Sequence, residues 1–141
     1  MFDIEEFKKM FADSRIVGNK ILLTTNICDA ISVVKNNYGY EILKEIIAID
    51  NQEQGIELIY KLYSVSNNED LLVSITTNDE IESVSNIFKS AISDECEIFD
   101  LFGINFIGNE NLKRLYMPES WQGHPLRKNY VEEDRRLSWN E

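Results

Sequence analysis

The sequence predicts an α+β fold: a mostly antiparallel sheet with helices packed on one face, followed by an irregular, Pro/Gly-rich C-terminal extension. Three observations predict it. Two runs of alternating apolar residues flank a polar turn in the middle of the chain. Stripes of apolar residues at helical spacing stand before and after them. Both prolines (118 and 125) and three of the six glycines (103, 108 and 123) fall in the last third, a density that marks turns fixed by backbone chemistry rather than regular structure.

The elements follow in order. Residues 2–12 read as an amphipathic helix, with Ile4, Phe7, Met10 and Phe11 on one side and Glu5, Glu6, Lys8 and Lys9 on the other. Residues 16–24 read as a hairpin around Gly18-Asn19. Thr25 or Asn26 caps a second helix whose stripe is Ile27, Ala30, Ile31 and Val34, ended by Asn36-Asn37 and Gly39. Residues 40–50 suit either a helix or a buried strand, and the strand is favoured by what comes next. Ile56, Leu58, Tyr60 and Leu62 alternate with their neighbours, as do Leu71, Val73 and Ile75 beyond the turn at Asn67-Asn68, making an antiparallel pair. Thr77-x-x-Glu80 has the form of a capping box, so a third helix is expected with Ile81, Val84 and Phe88 as its face. A short helix is expected from Asp94 to Phe102. The domain expected is 1–104, and 105–141 is expected to be an extended segment with a partner-docking turn, its tail after 130 mobile until a partner binds.

Composition narrows the function. The 141 residues suit one domain. Apolar residues at 43% argue against disorder. No apolar run approaches the ~20 residues of a membrane-spanning helix, and MFDIEEFKKMF lacks the apolar centre of a signal peptide, so a cytoplasmic location is expected. A net charge of −11 opposes nucleic acid and anionic membrane surfaces. The chain has only two cysteines, Cys28 and Cys96, and one histidine, His124. That is too few for an iron–sulfur cluster or a zinc site built from the usual ligands, and no redox cofactor or metal is expected in this chain. A Cys28–Cys96 disulfide is not expected in a reducing compartment.

The last third carries the functional signal. Residues 94–110 hold five acids and no base, whereas residues 111–130 hold four bases and one acid. On the expected helix Glu97 and Asp100 stand at i, i+3, an arrangement that is mildly destabilising unless a cation joins them. Arg114, Arg127 and Lys128 are the candidates, either folding back on the acidic helix or meeting a partner chain. Trp121, Pro125, Leu126, Arg127 and Lys128 are the interface or tail-fixing candidates, Trp and Arg being enriched at interface hot spots. Gly103 reads as a permissive turn, Cys96 as a small packing residue, and His124 as a loop residue rather than a base. Glu95, Glu97 and Asp100 could also be read as catalytic or metal-binding carboxylates, a minor alternative because such clusters are common on helix surfaces.

The run Glu95-Cys96-Glu97-Ile98-Phe99-Asp100-Leu101-Phe102-Gly103-Ile104-Asn105-Phe106, then Gly108, Leu112-Lys113-Arg114-Leu115-Tyr116-Met117-Pro118 and Trp121-Gln122-Gly123-His124-Pro125-Leu126-Arg127-Lys128-Asn129-Tyr130, resembles the signature of the C subunit of NADH-quinone oxidoreductase, respiratory complex I. The same family includes the matching small subunit of membrane-bound, energy-converting [NiFe] hydrogenases. The specific resemblance covers residues 95–130. The resemblance implies a peripheral assembly subunit on the cytoplasmic face of the cell membrane. Such a subunit has no active site or cofactor of its own and belongs to a proton-translocating NADH:quinone oxidoreductase or, alternatively, an energy-converting hydrogenase. Its implied partner is chiefly the large subunit, with no direct membrane insertion. Two departures stand out. The family usually has Glu-Arg-Glu where this chain has Glu95-Cys96-Glu97, and Gly-His-Pro where it has Gly108-Asn109-Glu110. The missing arginine shifts charge balance onto Arg114, Arg127 or Lys128.

Overall fold

The computed structural model describes residues 4–12, 14–114 and 123–126. Helix α1 (Ile4–Met10) leads into the hairpin β1 (Arg15–Val17) and β2 (Lys20–Leu23). Helix α2 (Ile27–Tyr38) is followed by β3 (Ile42–Asp50), a short 3₁₀ turn (Gln52–Gln54), β4 (Ile56–Ser64), β5 (Glu69–Thr77) and β6 (Glu80–Glu82). Helix α3 (Ala91–Phe102) and β7 (Asn105–Ile107) complete the described elements.

Five strands form one sheet in the order β1-β2-β5-β4-β3. The long ribbon β3-β4-β5 is antiparallel throughout, with Tyr60 facing Ile46 on one side and Val73 on the other. The fold is therefore α+β with a mostly antiparallel sheet, as the alternating runs predict, and residues 42–50 are the strand that those runs favour. The exception is β2, which lies parallel to β5. Its outward Lys20 donates to Glu57 Oε2 on β4 at 3.0 Å, across Ser74 on β5, whose hydroxyl donates to the same oxygen. These two donors, the serine first, hold Glu57 below the usual glutamate range against the opposing effect of burial.

One core unites the sheet and the helices. Leu58, Tyr60 and Leu62 of β4 pack with Ile27, Ala30, Ile31 and Val34 of α2, Phe7 of α1, and Ala91 and Ile98 of α3. The stripe predicted for α2 is thus its buried face. Its N-cap is Asn26, in the left-handed region and without a side-chain cap bond, and Gly39 ends it. In α1 the predicted stripe is only half used: Phe7 is buried and stacks on Phe11, but Ile4 and Met10 are exposed.

The helix expected from Thr77 does not form. Residues 80–82 are strand β6, and residues after it make separate turns, closed by Phe88 N–H to Val84 O and Ala91 N–H to Phe88 O. The Thr77 hydroxyl donates to the Glu80 carbonyl instead of capping an amide. Ile81, Val84 and Phe88 are nevertheless buried. The spacing marks burial correctly, but a strand followed by turns satisfies it as well as a helix does. The run Ile81-Glu82-Ser83-Val84-Ser85 is also a weak helix former. The helix expected from Asp94 forms, but it begins one turn earlier, at Ala91.

The packed core continues past residue 104. Strand β7 pairs in parallel with β6, and Phe106 is buried with Ile104 in the main cluster. At the far edge the start of α3 lies against β3, where Ser90 Oγ donates to Leu43 O. Burial raises the Asp94 pKa, and nearby Glu97 adds to the effect.

The sign of the Glu57 effect is testable. A carboxylate whose folded pKa is depressed contributes stability above its unfolded pKa and loses it as pH falls through the folded value. Glu57→Gln should therefore cost about 2 kcal/mol at pH 7, the scale of a charge-assisted hydrogen bond. Urea denaturation as a function of pH should show that deficit fading below the ordinary glutamate range.

Candidate functional site: a clamp on the acidic helix

Helix α3 is short of cations and long on carboxylates, and it buries two of them completely. Glu95 and Asp100 are both 0% exposed, whereas Glu97 is exposed. Glu95 lies at i+4 from Ala91 and three before Ile98, within the apolar stripe that faces the core. Nothing but its position in that stripe signals burial, and reading it with Glu97 and Asp100 as a surface cluster misses it. The three carboxylates do not converge, and among the described residues no three His, Cys, Asp or Glu side chains gather as a metal site.

The two buried carboxylates are satisfied differently. Glu95 is met by neutral donors. Ser83 Oγ donates to Oε1 at 2.6 Å, Asn109 Nδ2 to Oε1 at 2.9 Å, and Val84 N–H to Oε2 at 2.9 Å. Burial raises its pKa, and these three bonds oppose the rise. Cys28 of α2 joins the same region by donating its thiol to Ser83 O at 3.1 Å. Burial first, and the Glu82 charge second, push that thiol up to about 11. Cys96 is buried and donates to Asn111 O at 3.2 Å, a tie from the helix to the backbone of the following segment.

Asp100 is met by a cation. Arg114 Nη1 lies 2.9 Å from Asp100 Oδ1 and 3.2 Å from Asp100 O, and its Nη2 donates to Gly123 O at 3.0 Å. One guanidinium therefore joins the helix to a loop nine residues further on. It also sits at the negative end of the helix dipole, where a cation is favoured. The loop supplies the rest of the helix cap. Leu126 N–H donates to Leu101 O at 2.9 Å, His124 Nδ1 lies 2.9 Å from Asp100 O, and Gly103 N–H closes on Phe99 O. Carbonyls that a helix end leaves without intrahelical partners are thus satisfied from outside the helix. Gly103 is required here: its φ is +80°, and a Cβ would lie 2.5 Å from His124 Cδ2.

Of the residues singled out in the sequence, Asp100, Gly103, Arg114, Pro125 and Leu126 meet at this clamp. Glu97 is not brought to Arg114. Trp121, Arg127 and Lys128 lie outside the described residues, as does the tail after 130. His124 is a loop residue, as expected, but it is also part of the cap. Leu126 leaves 52% of its surface exposed beside the clamp, and Pro125 is half-buried. Among the described residues no helix is long and apolar enough to cross a membrane.

The fold and the clamp define a small α+β domain, a five-stranded sheet with a two-stranded ribbon beside it, in which residues 109–114 and 123–126 are tied along the acidic helix. Residues 22–136 match the family model for the 30 kDa subunit of respiratory-chain NADH dehydrogenase, and the chain belongs to that family. The match takes in the ribbon β3-β4-β5 as well as residues 95–130 that carry the resemblance, which is thereby borne out. Among its relatives, the NADH-quinone oxidoreductase C subunit of Geobacter sulfurreducens is 30% identical over 135 residues, covering 89% of this chain and 83% of that one. The C subunit of the Novosphingobium aromaticivorans enzyme is 30% identical over 145 residues, 91% of this chain and 47% of its own length. The C/D subunit from Phocaeicola vulgatus is 36% identical over 96 residues, 65% of this chain and 18% of its own length. The chain thus spans about half of one of these relatives and under a fifth of another.

Two outcomes are expected. Arg114→Ala strips the cation from a fully buried carboxylate and should cost about 3 kcal/mol in urea denaturation, the scale for breaking a buried pair. Arg114→Lys, which keeps the charge but loses the fork to Gly123, should recover part of it. Second, with a pKa near 11, about one Cys28 in a thousand is thiolate at pH 8. Iodoacetamide should therefore leave the native chain unlabelled on a timescale that labels both cysteines in urea, as mass spectrometry would show.

Proposed function

We propose that this chain is a non-catalytic assembly subunit of a proton-translocating NADH-quinone oxidoreductase, lying peripherally on the cytoplasmic side and docking on the large quinone-site subunit through the turn held by the clamp. The observation that carries the reading is the family match over residues 22–136, which includes the acidic helix and its strap. The relatives named as C/D subunits support the choice of partner, because the part matched here is a small fraction of a much longer polypeptide. The chain itself holds no redox group: two cysteines and one histidine fall short of the ligand sets that clusters and zinc sites require. Its contribution is geometric. Electron transfer and quinone chemistry depend on fixed distances, so a rigid element that keeps neighbours in register contributes without carrying an electron.

Leu126 is the natural probe, because it is exposed beside the clamp while its backbone N–H, not its side chain, makes the bond to α3. Tagged wild-type chain recovered from detergent-solubilised native membranes should bring down the large subunit and its cluster-carrying neighbours. Leu126→Asp should reduce that recovery about tenfold, the effect of losing one buried anchor, with an unchanged urea midpoint. Recovery of the chain alone from wild-type membranes would sink the proposal.

A further inference from the structure

We propose that Asn109 is the positioning residue that sets the register of the C-terminal strap on α3, and so fixes where the turn at residues 123–126 is presented. The consequence for partner docking rests on the reading given above; the role in the strap does not.

The strap and the helix run side by side and are tied at three points. Asn109 is tied to Glu95, the Asn111 carbonyl to the Cys96 thiol, and Arg114 to Asp100. From Glu95 to Asp100 the helix advances five residues, about 7.5 Å at 1.5 Å per residue. From Asn109 to Arg114 the strap also has five residues, which fully extended would span about 17 Å. The two lengths are reconciled by a turn at 109–112, and Asn109 makes it. Its Oδ1 accepts from Asn111 N–H at 3.0 Å, its N–H donates to Phe106 O at 3.2 Å, and its carbonyl accepts from Leu112 N–H at 3.3 Å. The same side chain donates to Glu95 at 2.9 Å. One planar amide therefore does two things at once: its acceptor shortens the strap, and its donor anchors the shortened strap to the buried carboxylate. Aspartate has the acceptor without the donor, alanine has neither, and glutamine places both one methylene too far.

The test is site-resolved hydrogen exchange on the full chain. In Asn109→Ala, the amides of Asn111 and Leu126 should lose at least tenfold in protection, while those of Tyr60 and Val73 in the central strands stay as in the wild type. Asn109→Asp should lose more at neutral pH, since it sets a second carboxylate against Glu95. The ionisable groups that face Glu95 are Asp94 on α3, Tyr60 on β4 and Cys28 on α2, with Glu82 of β6 beyond Cys28; all are acids, and none offsets the added charge. The Asp variant should regain protection as the pH falls and the two carboxyls come to share a proton, a recovery that Asn109→Ala cannot show. Unchanged protection at Leu126 in both variants would overturn the proposal. So would an equal loss across β4 and β5, which would make Asn109 a general stability residue. A loosened strap with undiminished recovery of the large subunit would instead count against the docking reading and leave the strap assignment standing.

Discussion

A carboxylate withdrawn from water must be met by donors or by a cation, and α3 withdraws two of them. Most of what distinguishes this fold follows from how that demand is answered. At Glu95 the answer is a set of neutral donors from the turn after β6 and from the strap. At Asp100 it is a guanidinium that also reaches the loop beyond. Both answers recruit chain from outside the helix, so the acidic helix organises the segment that follows it. The helix would be a poor neighbour for that segment if its acids lay on the surface, where each would be solvated and indifferent.

The sheet is readable in the sequence because alternation is a direct record of one face in and one face out. β4 and β5 fall where the patterns of residues 56–62 and 71–75 put them, and β3 follows from these neighbours, since residues 40–50 taken alone suit a helix as well as a strand. α2 is readable from Ile27, Ala30, Ile31 and Val34 and from Gly39. Residues 80–88 are not, because Ile81, Val84 and Phe88 are buried in a strand and turns at a spacing that a helix would share. The parallel pairings of β2 with β5 and β6 with β7 leave no mark on a single strand's pattern. At the site, the charge asymmetry between residues 94–110 and 111–130 leads to Arg114 and Asp100. It also leads to Glu97, which the fold leaves in solvent, since like charges at i, i+3 do not say which of them turns inward. The burial of Glu95 and its tie to Asn109 leave no mark, because a count of charges does not say which carboxylate is met by neutral donors inside.

Cys96 and Asn109, the two positions at which the chain departs from the pattern it resembles, both make ties between strap and helix. Each tie is made by an uncharged side chain, the thiol to a carbonyl and the amide to a carboxylate. The N-terminal half of the strap is thus held without cations, and Arg114 alone among the described ties brings a full charge to the helix. The attachment is graded along its length: neutral near Glu95, ionic at Asp100, and then purely backbone at Leu101.

The cover that α3 lays over β3 has a consequence for the order in which the molecule is made. Ser90 occupies a carbonyl on β3, one of the sheet's two outer strands, that would otherwise be open to another chain's strand. Ser90 leaves the ribosome 47 positions after the carbonyl it shields. During synthesis the completed ribbon therefore waits with its border bare, and protection arrives only when the acidic helix docks. The same event that prepares the strap shields part of that flank from nascent copies.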